Sequence, residues 1–146
     1  MFMKDLIKQL KVLMSDVVTM YFQAHGYHWN VEGQDFSQYH SLFADIYEDV
    51  YGSIDPIAEM IRKLDDYAPF GLQEFIDTRT VSAASVEPDP KAMAKALLKS
   101  NEGVLKSLQK TFDLAIKADK QGVANFLADR IDQHDKWSWQ LKSSTK

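Results

Sequence analysis

Cysteine is absent from the 146 residues, which removes disulfides, thiolate metal sites and cysteine nucleophiles together. Its absence fits a reducing compartment, and a cytoplasmic location is the expectation. Long apolar runs are missing as well. No stretch approaches the ~18 consecutive apolar residues of a membrane span, and the opening MFMKDLIKQL carries charge where a secretory signal needs its apolar run. Positive charge is in deficit: 17 Lys and Arg face 21 Asp and Glu, a formal net charge of -4. A uniformly basic surface that attracts nucleic acid or anionic lipid is therefore excluded, and any such contact must be local. The pattern Glu-x-x-His occurs nowhere, so no helix carries a carboxylate and an imidazole three residues apart as paired metal ligands.

What is present is 45% apolar residues, enough for a single domain spanning 1–146 with its own core. Apolar residues recur at Leu6, Leu10, Leu13, Val17, Met20 and Ala24 in steps of four and three, one face of a long helix running toward His28. A second stripe reads Phe36, His40, Phe43, Tyr47, Val50, Ile54, Ile57, Ile61 and Leu64, and its unbroken phase predicts one kinked but continuous helix. Between the two lies VEGQD, where a turn at Gly33 folds the helices into an antiparallel hairpin and brings His28 and His40 to one end.

From Asp65 to Pro90 the periodicity fails and three of the four prolines gather, which predicts a long connection with a short helix near Leu72 to Phe75. Helical spacing resumes at Met93 through Leu97, Leu98, Leu105, Leu108 and Phe112. A break at AIKADKQG precedes a last helix with Val123, Leu127, Ile131 and Trp137 inward. The expected fold is all-α: a ferritin-like four-helix bundle with a short extra helix in the long central crossover.

The polar residues on inward or boundary faces are His25, His28, His40, Asp55, Glu59, Arg130 and His134. Imidazoles with carboxylates suit iron, zinc or manganese. Asp55 and Glu59, four residues apart, leave one helix face together. Fifteen residues separate His40 from Asp55, which at ~1.5 Å per residue is about 22 Å, far beyond ligand bonds near ~2 Å. Within one subunit these residues cannot share a metal; a two-fold axis near Asp49 would lay His40 of one chain beside Asp55 of the other. Asp55 has a competing reading as a helix cap before Pro56. His25 reads as a polar boundary residue, Arg130 and His134 as a buried hydrogen-bonded network, and Trp29 as a packing residue.

HWNVEGQDFSQYH at 28–40, DPIAE at 55–59 and RIDQHDKWSWQLK at 130–142 together resemble the Dps family, the mini-ferritins or DNA-binding proteins from starved cells. The resemblance covers nearly the whole chain. It implies a hollow dodecamer built from dimers that binds ferrous iron at the two-fold interface, oxidises it preferentially with hydrogen peroxide and stores ferric iron inside, protecting against oxidative damage. It implies that His28 and His40 from one subunit act with Asp55 and Glu59 from its mate, and that Trp29, close to the iron, takes up an oxidising equivalent. One departure stands out: the family usually places an aspartate where this chain has Ala44, and neither Asp45, rotated by ~100°, nor Glu48, two turns from His40, simply replaces it. A weaker second iron position is expected. Iron access in the family uses acidic residues near the start of the last helix, where this chain offers Asp119 and Asp129 with Gln121 and Asn125 between. Members that coat DNA generally use a Lys-rich tail; none precedes Leu6, and LKSSTK adds only Lys142 and Lys146, so DNA binding is expected to be weak or absent. The alternatives are a DNA-compacting protein and a ferritin-like shell with impaired ferroxidase activity.

Overall fold

The computed structural model describes residues 1–82, 85–87 and 89–146; the part of the expected connection at 83, 84 and 88 lies outside the described residues. Six helices follow in order: α1 (Phe2–Asn30), α2 (Phe36–Gly52), α3 (Ile54–Lys63), α4 (Leu72–Thr78), α5 (Pro90–Lys117) and α6 (Gln121–Ser144). Among the described residues there is no strand, and no helix is long and apolar enough to cross a membrane. The all-α expectation holds: α1, the α2–α3 pair, α5 and α6 form a four-helix bundle, and α4 is the short helix of the crossover, packed on α1.

The stripe from Leu6 to Ala24 is buried at every position, so α1 lays one continuous seam against α2 and α5. Phe43, Val50, Ile57 and Ile61 bury the matching seam of α2 and α3. Large-to-small changes at such positions cost about 2–5 kcal/mol. The α1–α2 turn works because Gly33 adopts φ 116°, a conformation that side chains disfavour.

The expected continuous helix from Phe36 to Leu64 is divided at Ser53. Pro56 has no N–H to give to the carbonyl of Gly52, so the ladder loses a bond at that turn. Ser53 nonetheless stays in the right-handed helical region and gives both its N–H and its hydroxyl to the carbonyl of Val50, at 3.1 and 2.7 Å. The stripe therefore keeps its phase across the break. Asp55 is not the cap of α3; it lies in its first turn, and Ser53 precedes the helix.

The crossover is fastened by a carboxylate. Asp16, fully buried on α1, accepts hydrogen bonds from the N–H and hydroxyl of Thr80 at 2.6 and 2.7 Å and from the N–H of Val81 at 2.9 Å. Val81 then lies over Gly103 of α5, where an added Cβ would meet its side chain at 3.0 Å. At its far end Asp89 caps α5, accepting from the N–H of Ala92 at 2.8 Å, with Pro90 in the first turn.

Candidate metal centre

The end of α1 and the start of α2 bring His28 and His40 into contact. Their rings stack with centroids 3.8 Å apart and planes 18° from parallel. Each Nδ1 lies 2.8 Å from the other residue's backbone carbonyl. A carbonyl oxygen has no hydrogen to give, so each Nδ1 carries the proton and donates. In the neutral ring each Nε2 is then the unprotonated lone pair, and neither has a hydrogen-bond partner among the described residues. This is the arrangement that fixes the tautomer of a metal-binding histidine. Both imidazoles are half-buried, so the site half they form lies at the protomer surface.

Asp55 and Glu59 stand exposed on α3, without a hydrogen bond or ion pair among the described contacts. Ser53 preserves the helical path between α2 and α3, so the sequence separation of His40 and Asp55 remains a spatial one of about 22 Å. Within one protomer no group of three or more His, Asp or Glu side chains converges, among the described residues. The structure brings together His28 and His40 and keeps Asp55 and Glu59 away from them. Ala44 is half-buried one turn beyond His40, with Asp45 and Glu48 both exposed.

Trp29 packs less than its sequence reading implies. One face lies 4.2 Å from the ring of His25, but the residue is 63% exposed in the protomer. His25 is half-buried, as a boundary residue should be, and belongs to an aromatic cluster that sequence inspection did not single out. It lies parallel to Tyr47 at 3.8 Å, and its Nδ1 is 2.8 Å from the hydroxyl of Tyr21. Tyr47 in turn lies 5.2 Å from His28, and Tyr21 lies 5.1 Å from Tyr51. Burial, and repulsion from His28 when both rings are protonated, hold His25 below its ordinary pKa, while burial raises that of Tyr21.

Arg130 and His134 form the buried network expected of them. Arg130 grips Asp49 with both terminal nitrogens, Trp137 adds its indole N–H to the same carboxylate, and Arg130 also gives a hydrogen bond of 3.1 Å to Nε2 of His134. Nε2 is thus an acceptor, so Nδ1 bears the proton and donates to Oδ1 of Asn101 at 2.7 Å. Burial, with the Arg130 charge beside it, pushes His134 down to about 3. Burial alone would raise Asp49, but its bonds from Arg130 and Trp137 outweigh that and hold it below the usual range. Near the α5–α6 turn Asp119 adopts φ 56°, Gln121 and Asn125 bond to each other, and Asp129 is exposed.

A bundle with one long crossover and an inter-helix pair of metal-competent imidazoles defines a ferritin-like protein. The family described as Ferritin-like domain matches residues 7–145. The DNA protection during starvation protein of Helicobacter pylori is 30% identical over 139 residues, 92% of this chain and 94% of that one. DNA protection during starvation protein 2 of Bacillus anthracis is 24% identical over 140 residues, 96% of each. The solved structure of Dps from Thermosynechococcus elongatus superposes with a TM-score of 0.95 at 24% identity, covering 99% of this chain and 92% of that one. The chain belongs to the Dps family of ferritin-like proteins.

Proposed function

We propose that the protein is a ferroxidase and iron store, a mini-ferritin that removes ferrous iron and hydrogen peroxide together. The observation that carries this reading is the reciprocal Nδ1–carbonyl pairing of His28 and His40, which directs the Nε2 of each neutral ring to serve as ligand. Neutral imidazole with carboxylate oxygen suits Fe(II). The carboxylates come from Asp55 and Glu59 of the partner subunit. Two ferrous ions give one electron each to peroxide, which takes up two protons and leaves as two waters. The ferric product is stored in a dodecameric shell built from dimers, in the cytoplasm, and Trp29 beside the site takes up stray oxidising equivalents. An apolar face on α1 and α4 supports subunit contact: Phe22, Leu72 and Ile76 are exposed around a groove of about 390 Å³ between the two helices.

The test mixes His40→Ala with Asp55→Ala under conditions that exchange subunits. Each parent loses iron binding, whereas a mixed dimer keeps one intact site. Calorimetric titration with Fe(II) and stopped-flow oxidation with peroxide and with oxygen read the outcome. The expectation is restored binding and faster oxidation with peroxide; no recovery on mixing would sink the shared site.

A second reading, nucleic-acid binding, has one observation behind it. Lys91, Lys95, Lys99, Lys106, Lys110 and Lys117 recur at steps of four and seven along α5, all exposed and without an ion pair among the described contacts. Glu102 and Asp113 interrupt that stripe, and the whole chain is acidic, so we expect DNA binding that is weak at physiological salt.

A further inference from the structure

Helices α1 and α5 run antiparallel: Gln9 meets Ser107, while further along α1 the Asp16 bonds hold Val81 against Gly103. Polar side chains face each other across this seam. Nε2 of Gln9 donates to the hydroxyl of Ser107 at 3.2 Å, and both residues are buried, so that pair closes on itself. Beyond Gly103 the pairing stops. Gln23 of α1 is 7% exposed and Ser100 of α5 is 8% exposed, yet Oε1 of Gln23 has no hydrogen-bond partner and Ser100 makes no side-chain bond among the described contacts. Both line a cavity of about 530 Å³, walled on its open side by Thr80, Ser82 and Ser85 of the crossover. The Gln23 amide is turned to this wall: Nε2 donates to the Tyr27 hydroxyl at 3.3 Å, which donates to the carbonyl of Ser85 at 3.2 Å. A buried acceptor left open costs stability that a bound donor restores.

The lining selects the donor. Lys99 and Lys106 stand on it with Glu87 and Glu102, two charges of each sign, so no net field draws in an ion. Its buried end offers only an amide oxygen and a hydroxyl, and an ion desolvated against these would lack a counter-charge. No aromatic side chain lines the cavity among the described residues, which leaves a flat ring nothing to stack on. With the Gln9–Ser107 pair as register, Gln23 lies fourteen residues along α1 and Ser100 seven along α5. At ~1.5 Å per residue the two are about 10 Å apart along the seam. A molecule that serves both carries hydroxyls at both ends. We propose that this cavity binds an uncharged, open-chain polyol, a sugar alcohol of xylitol or sorbitol size. One end donates a hydroxyl proton to Oε1 of Gln23, the other exchanges hydrogen bonds with Ser100, and the crossover serines complete the wall.

Saturation-transfer NMR on the whole protein reads binding, with sorbitol and xylitol as probes and an excess of inorganic phosphate or betaine as ionic competitors. We expect transfer to both polyols, undiminished by either competitor. Ser100→Ala and Gln23→Met each cut the sorbitol signal several-fold, whereas Ser107→Ala, on the closed pair, leaves it as in wild type. Ser100→Ala removes one oxygen atom and keeps the test open if Gln23→Met folds poorly. Polyols stabilise proteins generally by exclusion from their surface, so thermal melts in sorbitol are read as a difference. Wild type gains more than Ser100→Ala, because only wild type has the complete site. No transfer to either polyol, equal transfer in wild type and both variants, equal thermal gains, or displacement of sorbitol by phosphate or betaine would overturn the proposal.

Discussion

Arg130 on α6 and Asp49 on α2 meet through two parallel hydrogen bonds, each 2.8 Å, with side chains only 12% and 25% exposed. Removing one partner strands the other charge in a dry setting, with Trp137 and His134 attached to it. Arg130→Ala or Asp49→Ala is expected to cost about 3 kcal/mol, the low end for a buried pair because Asp49 keeps some solvent. Arg130→Lys should recover less than half, since an ammonium cannot make the fork. Urea unfolding midpoints at fixed protein concentration check both.

His134 gives the fold an acid limit. Its pKa in the folded chain is about 3, against an ordinary 6.5, so between those values the unfolded chain binds a proton that the folded chain refuses. Stability from this residue is full above pH 6.5 and is lost as the pH falls toward 3, at a slope approaching about 1.4 kcal/mol per pH unit. Asp49, also held low, adds a loss of the same sign at still lower pH. His134→Gln, which can keep a bond to Asn101, should flatten the slope between pH 6 and 4 in a series of thermal melts; an unchanged slope would assign the acid sensitivity elsewhere.

Replacing Ala44 with aspartate puts back an anionic oxygen one turn from His40. Iron bound per dimer should rise in a calorimetric titration, or Fe(II) oxidation by peroxide should quicken in stopped-flow. If neither quantity changes, another group already serves the second iron.

Retention of DNA by this protein should fall steeply with salt and vanish near physiological ionic strength, because acidic residues outnumber basic ones. What binding remains at low salt should depend on α5. Lys95→Glu with Lys106→Glu should abolish it in a gel-shift series, while tight plasmid retention by wild type at physiological salt would contradict the expectation.

The bundle was legible because its signal is periodic: every residue of the Leu6–Ala24 stripe is buried, and Gly33 and Leu72 mark a turn and a short helix where expected. The division at Ser53 was not, since a helix that loses one hydrogen bond without losing phase leaves the apolar pattern intact. Half of the candidate site could be read in the chain. His28 and His40 meet across a five-residue turn, whereas the carboxylates proposed for them would have to come from another subunit. The tyrosine cluster went unread although Tyr21–His25, His25–Trp29 and Tyr47–Tyr51 are all four-residue helical neighbours, because such pairs look like ordinary core periodicity. Asp16 gave no local sign at all: its partners Thr80 and Val81 are 64 and 65 residues away.

That clamp bears on the order in which the chain folds. The α1–α2 and α5–α6 hairpins close over turns of a few residues, but docking one on the other must also close the long crossover, which costs more chain entropy. Local hairpins should form early and their docking late, with the Asp16 bonds among the last native contacts made. Asp16→Asn should therefore hasten unfolding far more than it slows refolding. Denaturant-jump kinetics at fixed protein concentration would show the unfolding limb raised and the refolding limb nearly unmoved; a slowed refolding limb would mean that the crossover is fastened first and guides the two hairpins together.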